Sequence, residues 1–455
     1  MIMDLMESVV NLAKRRGFVF PGSDIYGGLA NSWDYGPLGA ELKKNIKDEW
    51  WEFFVRRRAD MAGIDPAIIM NPKVWEASGH VKEFSDPLVE CKKCHERFRA
   101  DQVEGKCPSC GGEFGAARQF NLMFKTFLGV TEDAATAAYL RGELAQAMFV
   151  DFPAVLQTMR RRLPFGIACQ GKAFRNEITP GNFIFRTREF DLMEFEYFVK
   201  ESAWEAHFEE WLAEMKKWLA HCGVKEKNFH VKEIGDGDRA HYSKRTADIE
   251  YDYPFGRKEL YGLAYRGDFD LKNHMEASGQ DMRYTDPETG EKFLPHVVEP
   301  TFGLDRTVLA AMLEAYHEEK VPPSPKAKAG EAAPSTSSGQ VEEGEMDTRI
   351  VMKFPKWMAP YKVAVLPLSK KEELASIALP LAVELRKHFA CDYDETQSIG
   401  KRYRRQDEIG TPYCVTVDFE TPKDGAVTVR DRDSMKQERV KIGGLDDFLA
   451  EKLRS

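Results

Sequence analysis

The segment from Val321 to Asp347 divides this chain. Pro322, Pro323, Pro325 and Pro334, with the run Ser335-Thr336-Ser337-Ser338-Gly339, supply no periodic apolar residues and cannot enclose a core. The stretch reads as a flexible linker or surface loop, assigned to residues 321–355. A chain of 455 residues also exceeds what one core accommodates. The linker therefore separates a large domain, residues 1–320, from a smaller one, residues 356–455.

Composition narrows the class. Hydrophobic content of 43% and aromatic content of 11% are those of an ordinary globular protein. A net charge of −9 argues against indiscriminate nucleic-acid binding but leaves room for a local basic patch. No apolar run reaches the roughly 18 residues that cross a bilayer. Asp4 and Glu7 precede Lys14-Arg15-Arg16, the reverse of a secretory leader. The expectation is a cytoplasmic protein with no membrane association.

Periodicity gives the main elements. Leu38, Leu42, Ile46, Trp50 and Phe53 recur at three or four, predicting a helix over Pro37 to Val55. Ala67 to Met70 reads as a short buried strand ending at Asn71-Pro72. Trp204, Phe208, Trp211, Met215 and Trp218 form the apolar stripe of a helix over Ser202 to His221. Phe190 to Phe198 reads as a strand, pairing with Ala173 to Ile178 across a turn at Pro180-Gly181-Asn182. Beyond the linker, strands at Lys362 to Pro367, Val415 to Phe419 and Ala426 to Val429 alternate with a helix at Lys371 to His388. That is the pattern of a small α/β domain.

Eight cysteines are present, and four of them form two pairs, Cys91-x-x-Cys94 and Cys107-x-x-Cys110. Each pair can clip one side of a tetrahedral ion, with the intervening residues folding back. Disulfides are rare in a reducing compartment, so the pattern predicts a structural Zn²⁺ in an insertion at 88–115. Four thiolates leave no open coordination position, which excludes a catalytic role for it. A redox dithiol, or no metal at all, is the alternative. Cys169, Cys222, Cys391 and Cys414 stand in mostly apolar surroundings and read as core residues.

Three further stretches carry the chemistry. They are Phe174-Arg175-Asn176-Glu177, Phe185-Arg186-Thr187-Arg188-Glu189-Phe190, and Glu299-Pro300-Thr301-Phe302-Gly303-Leu304-Asp305-Arg306. Guanidinium groups beside carboxylates and aromatic rings suit a ligand with a phosphate chain at one end and a flat base at the other. The first two stretches resemble motif 2 of the class II aminoacyl-tRNA synthetases, and Gly303 to Arg306 resembles motif 3. The early helix and the strand ending at Pro72 resemble the dimer-forming motif 1. Further strings resemble the homodimeric glycyl-tRNA synthetases: Tyr26-Gly27-Gly28, Trp33 to Gly39, Val74 to His80, Phe120 to Phe124 and Gly400 to Tyr403.

The resemblance implies an α+β catalytic domain, an antiparallel sheet flanked by helices with the zinc-knuckle insertion, followed by an α/β anticodon-binding domain. It implies a homodimer that attaches glycine to tRNA(Gly) through a glycyl-adenylate, with ATP and Mg²⁺. Arg175 would hold the α-phosphate and the incoming carboxylate. Arg186, Arg188 and Arg306 would reach the outer phosphates. Phe190 would stack on adenine and Glu177 would accept from its amino group. Arg175, Glu177 and Arg306 would thus be the catalytic residues. Asn176, Phe185, Thr187, Glu189, Gly303, Leu304 and Asp305 complete the implied ATP site, with Glu259 and Leu260, and Glu259 would also hold Mg²⁺.

Glycine offers an ammonium, a carboxylate and no side chain, so its site needs acidic groups and walls that exclude anything larger. The resemblance assigns it Arg99, Glu143, Phe190, Asp191, Leu192, Met193 and Glu194, with Glu299, Pro300, Thr301, Phe302 and Gly303. Leu144 and Ala147 depart from the family pattern and are expected to alter the pocket wall. Thr301 replaces a serine, keeping the hydroxyl and adding a methyl. No separate editing site is demanded. In the small domain, 18 basic residues against 17 acidic depart from the acidic whole. Lys401-Arg402-Tyr403-Arg404-Arg405 joins four cations to one aromatic ring, which suits a single-stranded RNA loop. Two alternatives stay open: a synthetase for serine, threonine or proline, and a non-catalytic RNA-binding paralogue.

Overall fold

The computed structural model describes residues 4–237, 239–322 and 346–454, and these fall into two compact units. Residues 323–345, most of the expected linker, lie outside the described residues.

The larger unit, Val19–Asp34 with Ile46–Ala310, is organised by a seven-stranded sheet. Its strands are β1 (Met61–Gly63), β2 (Phe165–Phe174), β3 (Glu189–Val199), β4 (Phe229–Glu233), β5 (Arg245–Tyr253), β6 (Gly256–Gly267) and β7 (His296–Gly303). Their spatial order is β4-β5-β6-β7-β3-β2-β1. Every neighbouring pair is antiparallel except β1 with β2. Side chains alternate between the two faces of a strand, and here the faces have opposite character. Phe195 and Phe302 point into an aromatic core with Trp50 and Phe54, at ring separations of 5.0 to 6.2 Å. Helix α1 (Trp204–His221) buries Trp211 and Trp218 against the same core. Glu194 and Thr301, on the other face, are direct partners across β3 and β7.

Several expectations are corrected. The helix beginning at Pro37 ends at Trp51 and continues as a π-helical turn over Glu52–Arg56. Ala67 to Met70 is not a buried strand. Ile68 and Ile69 are 36% and 45% exposed, and only an isolated bridge joins Ile69 to Leu140. The strand runs earlier, at β1, because Met61-Ala62-Gly63 pairs with β2. The hairpin of β2 and β3 is real, but its connection is long. Arg175 N–H donates to the Arg188 carbonyl at 2.9 Å, so residues 176–187 form a loop.

The smaller unit comprises 1–18, 35–45 and 311–455. Its sheet, β8 (Val363–Pro367), β9 (Cys391–Tyr393), β10 (Tyr413–Val417), β11 (Ala426–Asp431) and β12 (Gln437–Lys441), has the order β9-β8-β10-β11-β12. The first three strands are parallel and the last two antiparallel. Helices α2 (Glu372–Leu385) and α3 (Ile399–Ile409) pack against it. The expected linker is narrower than drawn, because Asp347–Met352 pairs with Tyr316–Val321 as an antiparallel ribbon. Arg349 fixes that ribbon to α3 through Asp407 at 2.8 Å.

Lys362 sits at the start of this sheet with its ammonium donating to the carbonyls of Trp357 and Ala359, both at 2.6 Å. Burial pulls its pKa down from 10.5 to about 8, with Glu41 opposing. The unfolded chain therefore holds a proton between those two values that the folded chain has released, and stability rises with pH across that window. The gain reaches about 3 kcal/mol at most. Denaturant midpoints of the wild type should climb between these pH values relative to Lys362→Met, and parallel profiles would refute the assignment.

Candidate functional site

Alternation along β3 and β7 sorts the expected residues. Leu192, Glu194, Glu299 and Thr301 line a cavity of about 520 Å³, together with Glu143 and Arg175. Met193 and Phe302 are fully buried on the opposite face, and Leu304 packs inward as well. Pro300 is buried and lines neither this cavity nor its neighbour. The contiguous runs expected to contact ligand are thus split by the pleat. A second, narrower cavity of about 110 Å³ is lined by Glu177, Phe185, Arg186, Phe190, Asp305 and Arg306, among others. Thr187, Asp191, Leu260 and Gly303 also line it. Arg175, Leu192, Glu259 and Thr301 border both cavities.

The larger cavity ends in a buried charged cluster. Glu143 accepts from Gln146 at 2.9 Å and faces His80 at 3.2 Å. Glu194 accepts from the Leu144 backbone N–H at 3.1 Å and from the Thr301 hydroxyl at 2.8 Å. Glu299 accepts from Arg266 at 2.9 Å. Arg266 is fully buried, bidentate to Asp270 at 2.8 and 2.9 Å, and lies 3.6 Å over the Tyr242 ring. Burial opposes its charge, yet Asp270, Glu299 and Glu143 hold its pKa well above the ordinary value. Burial likewise opposes the charge of Glu143, but His80, Arg266 and Gln146 hold its pKa below the usual range. Burial raises Glu194 and Glu299, with neighbouring carboxylates adding to the rise. Six acidic residues thus line the cavity against three basic ones, Arg175, Lys232 and Arg239. That imbalance suits a small ligand bearing an ammonium.

Three arginines, Arg175, Arg186 and Arg306, line the narrower cavity beside four carboxylates. Arg175 donates to the Gly142 carbonyl at 3.1 Å and stands 5.1 and 5.4 Å from the rings of Phe84 and Phe190. Arg306 donates to the Glu259 carbonyl at 3.0 Å, pairs with its carboxylate at 3.3 Å and lies 4.5 Å over Phe185. Asp305 accepts from the Asp191 N–H at 2.7 Å, tying the helix Leu304–Ala315 to β3. One oxygen of Glu177 is buried with no partner among the described residues, an open acceptor in the cavity wall. Asp248 joins Glu259 at the rim of the larger cavity. A Cβ on Gly262 would lie 3.9 Å from each carboxylate, so the two converge over that residue.

Other expected residues stand elsewhere. Arg99 borders neither cavity and is held by Asp86 at 2.7 Å and Asp101 at 2.8 Å. Asn176 donates its backbone N–H to Leu122, Arg188 donates to the Ala30 carbonyl, and Glu189 pairs with Lys172. Leu144 and Ala147 are buried and border neither cavity, so their side chains do not alter the wall. Arg266, Gln146 and Tyr242 went unnoticed in the sequence. Arg266 draws its partners from positions 4, 33 and 123 residues away, and only the Arg266/Asp270 spacing was visible.

The four cysteines of the two pairs converge. Cys91 and Cys110 sulfurs are 3.5 Å apart, Cys94 and Cys107 sulfurs 3.6 Å, and all four lie within 4.8 Å of one another. Metal–sulfur bonds of about 2.3 Å in a tetrahedron place sulfurs roughly 3.8 Å apart, so the spacing fits one ion. A side chain at Gly112 would strike the Cys91 sulfur at 2.9 Å and the Cys110 sulfur at 3.3 Å, which explains glycine there. A three-stranded sheet of Arg97–Arg99, Ser85–Glu90 and Arg118–Asn121 carries the cluster.

The basic run on α3 is corrected more sharply. Arg402 is 2% exposed and donates to backbone carbonyls of Pro367, Asp394 and Leu368. Tyr403 bonds the Thr416 hydroxyl at 2.6 Å, and Arg405 pairs with Asp394. Arg404 lies 3.9 Å from Asp407. One turn of helix separates every fourth residue, so the run wraps around α3 and half of it faces the sheet. Lys401 alone of the five is fully exposed.

Residues 138–316 match the family model described as the class II tRNA synthetase core domain (G, H, P, S and T), and residues 362–452 match an anticodon binding domain. The chain is 52% identical to a glycine–tRNA ligase of Geobacillus kaustophilus, over 98% of this chain and 99% of the relative. It is 51% identical to one of Geobacillus thermodenitrificans, over 98% and 97%, and 49% identical to one of Bacillus cereus, over 99% of each.

Proposed function

The chain belongs to the class II tRNA synthetases, among the glycine–tRNA ligases, and from that premise we propose that it attaches glycine to tRNA(Gly). Glycine and ATP form glycyl-adenylate with release of pyrophosphate, and the glycyl group then passes to the tRNA with release of AMP. The observation that carries this reading is Arg175, which borders both the acidic cavity and the narrower, arginine-lined one. An amino acid bound by its ammonium at Glu143, Glu194 and Glu299 presents its carboxylate toward Arg175. A nucleotide in the narrower cavity presents its α-phosphate to the same guanidinium.

The carboxylate attacks the α-phosphorus, the bond to the bridging oxygen breaks, and pyrophosphate leaves. Charge grows on phosphate oxygens during the transfer, and Arg175 is already placed to meet it without rearrangement. Arg186 and Arg306 serve the outer phosphates, with Arg306 exchanging Glu259 for them. Phe190 stacks on adenine, and the open oxygen of Glu177 accepts from its amino group. No side-chain nucleophile is needed, because alignment of two bound reactants supplies most of the acceleration. The convergent carboxylates of Asp248 and Glu259 would hold Mg²⁺, which when bound neutralises the phosphate chain.

The cysteine cluster holds a structural Zn²⁺. Cys107→Ser should lower bound zinc from one ion per chain to well below one, with loss of order in residues 88–115 by hydrogen exchange. Full zinc content in that variant would refute it. The matched anticodon domain binds the tRNA, with Lys401 and Arg404 as its candidates from α3. Pairing of two chains through the larger unit is favoured by exposed Ile25, Tyr26 and Leu29, at 89%, 87% and 66%. Pyrophosphate exchange with a panel of amino acids tests the function. Exchange should depend on glycine, and dependence on serine, threonine or proline would overturn the assignment.

A further inference from the structure

The acidic cluster contains one carboxyl group that the reaction does not use. Glu196 lies two residues beyond Glu194 on β3, so both point to the same face. It is 0% exposed, and neither of its oxygens has a hydrogen-bond partner among the described residues. An oxygen of Glu196 lies within 4.8 Å of oxygens of Glu194 and Glu299. It borders neither cavity.

Each other carboxyl of the cluster has a hydrogen-bond donor or a cation beside it, although burial still raises Glu194 and Glu299. Glu143 has Gln146 and His80, Glu194 has the Leu144 N–H and the Thr301 hydroxyl, Glu299 has Arg266, and Asp270 has Arg266 twice and Gln146. Glu196 has none, and a buried carboxyl without donors neutralises itself. A metal ion is disfavoured, since the Arg266 guanidinium already occupies the cationic position beside Glu299. We propose that Glu196 is a neutral carboxylic acid, a positioning residue whose proton keeps the glutamates above it free to remain charged toward the substrate ammonium. The groups facing it are Glu194 on its own strand, Glu299 from β7, Arg266 from β6, and Asp270 from the helix Phe269–Ser278. Burial first, and Glu299 next, hold its pKa well above the carboxylate range. Were Glu196 ionised, Glu299 or Glu194 would take up the proton, and a protonated glutamate loses its attraction for an ammonium.

The inference rests on the glycine-site reading, and the test separates the two. In the full chain, infrared difference spectra at neutral pH should show a buried protonated-carboxyl stretch in the wild type that Glu196→Gln removes. Glutamine mimics the neutral acid, so Glu196→Gln should keep the KM for glycine within about twofold, whereas Glu196→Ala should raise it about tenfold. Glu194→Gln should raise KM by more than tenfold. Absence of the band, a KM in Glu196→Gln as high as that of Glu194→Gln, or a second metal ion lost with Glu196→Gln would each overturn the proposal. An unchanged KM in Glu194→Gln, with the band present, would instead count against the glycine site and leave the neutral acid standing.

Discussion

Arg175→Ala lowers glycine-dependent pyrophosphate exchange by about 10²- to 10³-fold, equivalent to about 3–4 kcal/mol in the barrier. The size follows from where the guanidinium stands. Removing one preorganised donor from a developing oxyanion costs this much in other enzymes, and here the same side chain borders both cavities. The loss should appear mainly in kcat, because Arg175 meets charge that is largest in the transition state. The fold should survive, since among the described residues the Arg175 side chain makes one hydrogen bond, to Gly142, and two ring contacts. Exchange assays with a thermal midpoint measured alongside decide it. A variant that unfolds, or one that keeps a tenth of its activity, would refute the assignment.

Arg266→Met lowers stability by about 3–5 kcal/mol, because it removes the cation shared by the buried carboxylates of Glu299 and Asp270. The sign of its pH dependence is distinctive. Without the guanidinium, burial and the neighbouring carboxylates push the folded pKa of Glu299 still further above its unfolded value, and it holds a proton. Stability from such groups is present below the unfolded pKa and is lost as pH rises through the folded pKa. The variant should therefore resist urea better near about pH 5 than near about pH 8, relative to the wild type. It should also bind glycine weakly, because protonated glutamates no longer attract the ammonium. Equal urea midpoints for variant and wild type would remove Arg266 from its place at the centre of the cluster.

Much of this site could be read from the sequence, and the misses have physical causes. Glu143, Glu194, Glu299, Arg175 and Arg306 were named from motifs and do stand around two adjoining cavities. Motifs are contiguous whereas a strand shows alternate residues to one face, so Met193 and Phe302 were included although they belong to the aromatic core. Arg266 was invisible because its partners come together only when β6, β7 and the helix Phe269–Ser278 pack. The basic run 401–405 read as one patch because composition carries no direction, and helical rotation buried Arg402. Ile68 and Ile69 were read as buried because an apolar run does not say what covers it.

The pairing of Glu194 with Thr301 also limits how this chain can vary. A single inserted or deleted codon in the middle of β3 would turn Glu194 and Glu196 toward Trp50, or Phe195 and Tyr197 toward the acidic cluster. The turn that follows the strand can change length, but inside it, and in the loop 176–187 that carries Glu177 and Arg186, only substitution remains open.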